Sequence, residues 1–423
     1  MNCGTIQLGI DVNAKVVEPD IKAIAKTVKN GAVALKAMGP DKVIGRLDDL
    51  GKVLLRSDIK SMEGVPFLAM WLRKANLHKL LEETFGDPRI LTEFMGTGRR
   101  KVKAQPRGLA CHWIAGNVPT LGFFSLFQSM MVGNANILRI PAASVDVIQG
   151  VLEVMARSEA SELMGSFSVI TFPSSNQPLN ESLSMEADVR VVWGGMEAVN
   201  AITNLPTQSH CEDVVFGPKY SFAVMDRKAL GSPKLQMLLR RLVNDIVIFD
   251  QEACSSPQVL FIEKGGRLGC KELMGLIGKE FEAVSKRSPK TGTTSSVATR
   301  ILTKRAEYAL SKKKDLLASK DTGWTILYDE KLALEEPVQH RTIFLKPVDR
   351  VLDVLPLITN KVQTIGYEIH DRKTALQFAD GATSAGVSRC VPFGQMNLYD
   401  NPWDGMLVMS RLVRFCSMFT EED

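Results

Sequence analysis

Apolar residues recur at helical spacing through the first hundred positions and bunch into short runs after about residue 107. In "DKVIGRLDDLGKVLL" the positions Val43, Ile44, Leu47, Leu50, Val53 and Leu54 line one side of a helix. Gly39-Pro40 breaks the segment before it, and Asp41 is the expected N-cap. "VPFLAMWLRKANLHKLLEETFG" predicts a second helix or a pair. Beyond residue 107, "GLACHWI", "ANILRI", "FSVITF", "VRVVWG", "YSFAVMD" and "IVIF" read as strands. "VIQGVLEVMARS" and "MEAVNAI" read as helices between them. That alternation predicts a parallel α/β sheet with right-handed crossovers. The strands before Asp226 and those after Ile246 are assignable to two sheets.

Residues 285 to 296, "SKRSPKTGTTSS", have the Pro, Gly and Ser content of an exposed loop. Strands resume at "RTIFLKPV" and "TIGYEI", ahead of a Gly-rich end that finishes with "NPWDG". From Ile114 to Leu138 no side chain is charged, which raises the question of a membrane span. A span needs about 20 mostly apolar residues. Asn117, Pro119, Gln128, Asn134 and Asn136 interrupt this one, so the reading is a loop, a buried helix and a buried strand.

Composition narrows the class. A chain of 423 residues exceeds one ordinary core, so two or three domains are expected. The net charge of +5 is spread along the chain and points to no nucleic-acid partner. The 7 cysteines have long spacings and no CxxC pair, which argues against a disulfide framework or a zinc site. Met1 to Asn13 lacks a basic flank before an apolar core, so no signal peptide is expected, and a reducing cytoplasm is the natural compartment.

GxGxxG after a strand, GxxxxGK[ST], HExxH and GxSxG are all missing. Three strand-end loops carry candidate chemistry instead. "HWIAGNVP" contains His112 and Asn117; His112 is either packed beside Trp113 or near a site. "WGGMEAV" places Gly194 and Gly195 before a helix, as a tight turn or as a phosphate-facing N-terminus. "FDQEACSSPQ" places Cys254 at a kink between two apolar runs, with Ala253, Ser255 and Ser256 around it. It is either a packing thiol or one presented for chemistry, and any activating group must come from elsewhere in the fold.

Taken in order, "GNVP", "GNANILRIP", "VVWGG", "FGPK" and "QEACSSPQ" resemble the aldehyde dehydrogenase superfamily. The closer resemblance is to its acyl-CoA reductase branch, the LuxC-type fatty acid reductases of bacterial luminescence, from about residue 40 to "NPWDG". The resemblance implies an aldehyde dehydrogenase-like α/β fold: two parallel-sheet domains with an amphipathic helical N-terminal region. It assigns residues 1–100 to that helical region, 101–225 to an NADP-binding domain and 226–395 to a catalytic domain with the cysteine loop. Residues 396–423 return to the cofactor domain or to an interface. Substrate and cofactor would enter the cleft between domains from opposite sides, and the protein would be a homo-oligomer.

By the same resemblance Cys254 matches the nucleophile that becomes S-acylated, and hydride from NADPH then reduces the acyl-enzyme to aldehyde. Asn117 matches the amide that joins the Cys254 N–H in holding the oxyanion, unless it only bonds its own loop. Arg139 stands where the family has a ribose-contacting lysine; it suits a 2′-phosphate or is an ordinary strand-end arginine. Gly194 and Gly195 would face the pyrophosphate, and Glu336 the nicotinamide ribose, although the family's Phe-Gly-Pro is missing there. Val215 stands in place of the glutamate of Glu-Leu-Gly-Gly-Lys, which activates water in hydrolytic relatives. Valine is no base, so release of free acid should be slow. Asp404 of "NPWDG" caps a turn or touches a ligand.

The expected function is therefore NADPH-dependent reduction of an acyl thioester. The donor is an acyl-CoA or an acyl-protein, the latter with an acyl-protein synthetase as partner. The alternatives are an aldehyde dehydrogenase forming free acid and a non-reducing acyl-binding scaffold.

Overall fold

The computed structural model describes residues 7–8, 19–266, 268–290 and 292–420. Met1 to Asn13, apart from Gln7–Leu8, lies outside the described residues, as do the rest of the chain up to 18 and Thr291 of the 285–296 stretch. The chain divides into two compact units, Met1–Gly217 with Tyr399–Asp423, and Pro218–Leu398. Strands are numbered β1 to β15 in chain order.

The first unit holds a six-stranded sheet in the order β1-β5-β4-β3-β6-β7. Its members are β1 (Gln7–Leu8), β3 (Leu109–Trp113), β4 (Ala135–Arg139), β5 (Phe167–Thr171), β6 (Val189–Trp193) and β7 (Glu212–Phe216). Every pairing is parallel. β3 and β6 are buried at all five positions, which is why their sequences are continuous apolar runs: helices cover both faces of a parallel sheet. One face packs on helices Ile21–Met38 and Gln177–Glu186 through Ile24, Val28, Leu179 and Leu183. Gly31 lets the first of these helices approach closely, since a Cβ there would lie 1.8 Å from the Gly165 carbonyl oxygen.

The amphipathic segment is helix Pro40–Leu54, burying Val43, Ile44, Leu47, Leu50 and Leu54; Val53 faces solvent. Its N-cap is Gly39, not Asp41, because Pro40 occupies the first helical position, where a missing N–H is harmless. Asp41 sits in the first turn. The next segment is a pair of helices, Val65–Trp71 and Lys74–Phe85. The charge-free segment is a loop, the buried helix Leu121–Met131 and β4. No helix among the described residues is long and apolar enough to cross a membrane. The chain's end returns to this unit, where β15 (Val413–Phe419) pairs antiparallel with β2 (Arg100–Pro106), two strands the apolar pattern does not announce.

The second unit holds a seven-stranded sheet in the order β10-β11-β12-β9-β8-β13-β14. These are β8 (Tyr220–Met225), β9 (Pro257–Glu263), β10 (Asp315–Ala318), β11 (Thr325–Tyr328), β12 (Thr342–Val348), β13 (Val362–Glu368) and β14 (Arg389–Val391). Only the β10–β11 pair is antiparallel. Two apolar cores cover the sheet's two faces. One gathers helices Leu235–Val247 and Cys270–Arg287, the other helices Ser295–Ala309 and Arg372–Ser384.

Three sequence expectations need correction here. The strands before Asp226 do not all belong to the first sheet, because β8 (Tyr220–Met225) lies in this one. "IVIF" is not a strand: Ile246 and Val247 finish the helix Leu235–Val247, and the chain then turns left-handed. Four apolar residues carry no period of their own, and the helical stripe of Leu238, Leu239, Leu242 and Val243 captures them. Likewise "ADGATSAG", read as part of a Gly-rich end, largely completes the helix Arg372–Ser384.

Candidate active site

In the first unit the sequence candidates gather at one edge of the sheet. Asn117, Arg139 and the Gly194-Gly195 pair follow the carboxyl ends of β3, β4 and β6, and these strands are neighbours in the order β4-β3-β6. Such an edge is where open parallel sheets bind ligands. Asn117 is exposed in the bend between β3 and helix Leu121–Met131.

Arg139 is fixed rather than waving in water. Its Nη2 donates to the Phe172 carbonyl at 2.8 Å, and its guanidinium lies 5.4 Å from the centre of the Phe172 ring. Nε is buried with no protein partner among the described residues. Burial holds the guanidinium below its ordinary pKa. Gly195 is the N-cap of helix Met196–Thr203, with no side chain closing the first N–H groups. A Cβ at Gly195 would meet nothing within 4 Å, so the approach is open. An arginine N–H with no protein partner among the described residues and an uncapped helix start, at the carboxyl ends of β4 and β6 on either side of β3, fit an anionic dinucleotide.

His112 takes the packed alternative. It is fully buried in β3, with Nδ1 2.8 Å from Ser125 Oγ and Nε2 3.1 Å from Asn136 Oδ1. Burial pushes it down to about 4, against the Asn136 contact, so it is neutral at physiological pH. The "NPWDG" stretch is pinned to the same unit. Asn401 Nδ2 donates to the Leu80 carbonyl and to Thr84 Oγ1, and Trp403 stacks 4.5 Å from Tyr399.

In the second unit the candidates sit at the amino ends of strands. Cys254 is a half-buried thiol just before β9, and Glu336 is exposed ahead of β12, the neighbour of β9. The Cys254 turn is held from several sides. Ser221, at the start of β8, donates from Oγ to the Cys254 carbonyl at 2.7 Å and accepts from Thr364 N at 3.1 Å. Ser255 and Ser256 donate to Asn397 Oδ1 at 2.7 and 3.2 Å, and Asn397 Nδ2 donates to the Asp245 carbonyl at 2.7 Å. Gln251 reaches across to Thr342, accepting its N–H at 2.8 Å and donating to its carbonyl at 2.9 Å.

The kink itself is a left-handed tract: Phe249, Asp250 and Gln251 have φ of 53, 45 and 65°. Gln339, His340 and Arg341 form a second one, with φ of 62, 52 and 63°. Side chains with a Cβ adopt this region at a cost of roughly 1–2 kcal/mol each, so the surroundings must enforce it. Two ionisable groups lie beside the cysteine turn. Burial, aided by Asp250, pushes the Glu252 carboxyl up. His340 Nδ1 is 3.4 Å from Glu252 Oε1, but burial and the charges of Lys290 and Arg300 push this imidazole down to about 4. It is neutral at physiological pH, so the contact is no salt bridge.

Sequence reasoning missed Ser221 and Asn397, ordinary polar residues far along the chain from Cys254, and Gln251, a near neighbour whose partner Thr342 lies 91 positions away. Elsewhere in this unit a cavity of about 870 Å³ is lined by Lys271, Lys314, Glu307, Asp315 and Asp329 among others. Glu307, Asp315, Asp329 and Glu335 there are each paired with a lysine, and none of the candidate residues lines it.

A family model described as "Acyl-CoA reductase (LuxC)" matches residues 37–415. The chain belongs to the LuxC acyl-CoA reductase family. Among curated relatives of this family, the long-chain acyl-protein thioester reductase of Aliivibrio fischeri is 27% identical over 369 residues, covering 83% of this chain and 72% of that protein. The Vibrio harveyi protein of the same name is 26% identical over 349 residues, covering 81% and 71%. The LuxC-family chain has the aldehyde dehydrogenase fold. Aldehyde dehydrogenase 21 of Physcomitrella patens, solved with succinate, aligns with a TM-score of 0.68 at 15% identity, covering 98% of this chain and 94% of that one. The Methanocaldococcus jannaschii glyceraldehyde-3-phosphate dehydrogenase GapN, solved with NADP, gives a TM-score of 0.63 at 11% identity, covering 98% of each.

Proposed function

We propose that this LuxC-family chain reduces a long-chain acyl thioester to the aldehyde with NADPH, through an S-acyl intermediate on Cys254. The observation that carries the reading is the Cys254 turn, a half-buried thiol whose flanking peptides are fixed by side chains from other strands and loops. Membership of the family and the relatives' thioester reductase activity support the reaction class.

In this reading the Cys254 thiolate attacks the thioester carbonyl carbon. The tetrahedral oxyanion collapses, the donor thiolate leaves with a proton, and the acyl group stays on sulfur. Sulfur serves both as nucleophile and as the later leaving group, so one difficult exchange becomes two easier ones. The Cys254 N–H and the Asn117 amide stabilise the oxyanion each time it forms; removing one such donor costs about 10²–10³ in rate. The hydride that reduces the acyl carbon would come from NADPH when bound. Arg139 would take its 2′-phosphate, Gly194 and Gly195 its pyrophosphate, and Glu336 its nicotinamide ribose. Expulsion of the Cys254 thiolate then frees the aldehyde. Val215 gives water no general base, which preserves the acyl-enzyme for reduction.

The donor is an acyl-CoA or an acyl-protein delivered by a synthetase partner, the second favoured by the relatives' names. The protein works as a homo-oligomer in the cytoplasm. Cys254→Ala or Cys254→Ser should abolish both the acyl adduct seen by intact mass and NADPH oxidation; a variant that still turns over would refute the assignment. Acid instead of aldehyde as the product would favour the dehydrogenase reading. A labelled acyl-enzyme that never discharges as aldehyde would favour the scaffold.

A further inference from the structure

We infer that Asn397 is a positioning residue for the Cys254 oxyanion donor, acting through Ser255 and Ser256. The inference rests on Cys254 being the nucleophile. In the Cys254 turn, Ser256 N donates to the Ala253 carbonyl at 3.0 Å. The Ala253 carbonyl and the Cys254 N–H belong to one planar trans peptide and point in opposite directions. Fixing the carbonyl on Ser256 therefore aims the Cys254 N–H to the other side, away from the turn's own hydrogen bond. Ser256 is fully buried and Ser255 nearly so, and both hydroxyls donate to one oxygen, Asn397 Oδ1.

The amide orientation of Asn397 follows from its partners. Two hydroxyls donate to Oδ1, while Nδ2 donates to the Asp245 carbonyl at the end of helix Leu235–Val247. A side chain that only accepted could not satisfy both sides. The Cys254 carbonyl is held separately by Ser221 Oγ at 2.7 Å. The peptide before the cysteine is thus set through Asn397 and the serines, and the peptide after it through β8. Asn397 touches none of the reacting atoms in this arrangement. Its effect is on the direction of an N–H, and a misdirected donor weakens acyl transfer without removing the thiol.

Two reactions of the intact protein separate these effects. Acylation of Cys254 by a p-nitrophenyl acyl ester passes through an oxyanion and is read as a p-nitrophenolate burst; it needs neither CoA nor NADPH. Alkylation by iodoacetamide forms no oxyanion and is read by mass. Asn397→Ala should slow acylation roughly 10- to 100-fold and alkylation by less than about threefold, with thermal unfolding confirming a folded protein. Ser256→Ala, a smaller deletion that keeps the test open if Asn397→Ala does not fold, should show the same split. Adding Ser256→Ala to Asn397→Ala should slow acylation less than about twofold further. Equal acylation in wild type and Asn397→Ala overturns the inference and leaves the nucleophile standing. Acylation and alkylation falling together also overturns it, since Asn397 would then govern only thiol exposure. A wild-type protein with no burst and no adduct on Cys254 removes the nucleophile assignment, and this inference with it.

Discussion

Arg341 donates from Nε to Asp250 Oδ1 at 2.6 Å, and this one contact joins the two left-handed tracts that flank the cysteine turn. The guanidinium is almost fully buried and also donates to the Ser288 carbonyl. Breaking a buried pair leaves an uncompensated charge and costs about 3–5 kcal/mol. Arg341→Met should therefore lower the urea midpoint of the second unit's unfolding at unchanged slope. A midpoint equal to wild type would show that the tracts hold without the pair.

Two buried groups give the stability a pH dependence of opposite sign. Burial pushes Asp245 up to about 7, against hydrogen bonds from the Gly394 and Met396 N–H groups and the nearby Arg389 charge. Below about pH 4 its carboxyl is protonated folded or unfolded; as pH rises the unfolded chain ionises first, so stability is lost up to about pH 7. His112, pushed down to about 4, does the reverse, and stability is lost as pH falls from about 6.5. Asp245→Asn keeps an acceptor for Gly394 and should gain on the wild type steadily between pH 4 and 7 in urea unfolding. A pH-independent difference between the two proteins would contradict the Asp245 assignment.

Glycines in two neighbouring helices should respond oppositely to alanine. At Gly31 the added Cβ meets the Gly165 carbonyl carbon at 2.3 Å as well as its oxygen, so the helix must move and about 1–3 kcal/mol is lost. At Gly45, within helix Pro40–Leu54, a Cβ meets nothing within 4 Å, and helix propensity should stabilise by about 0.5–1 kcal/mol. Melting temperatures of the two variants should move in opposite directions. A fall in both would show that local space is not what decides.

Arg139→Met tests the cofactor assignment. Loss of a charge-assisted hydrogen bond of about 1.5–3 kcal/mol should raise KM for NADPH roughly 10- to 100-fold. KM for NADH, which has no 2′-phosphate, should change little. Equal losses with both cofactors would return Arg139 to a structural role against Phe172.

Strands β3, β4, β5 and β6 were legible because they are short apolar runs between helices, and burial on both faces writes that pattern directly; β1 and β7, at the sheet's two edges, were not. Cys254, Asn117 and the Gly194-Gly195 pair stand out as candidates through the ordered motifs around them. "IVIF" was misread because four apolar residues look alike in a strand and at a helix end. β2 and β15 were missed because they form a two-stranded sheet of their own, and most of β15 faces solvent.

The alternation of helices and strands, the family and the candidate nucleophile thiol are all written locally along the chain. Burial period and motif order are local properties, readable within a few residues. What holds that thiol's turn emerges from the folded chain alone. Ser255 meets Asn397 across 142 positions, Ser221 reaches the Cys254 carbonyl across 33, and Arg341 meets Asp250 across 91. Contacts of that separation exist only after the sheet has ordered its strands. A hydrogen bond also depends on tenths of an ångström in placement, which no local pattern of polar residues encodes.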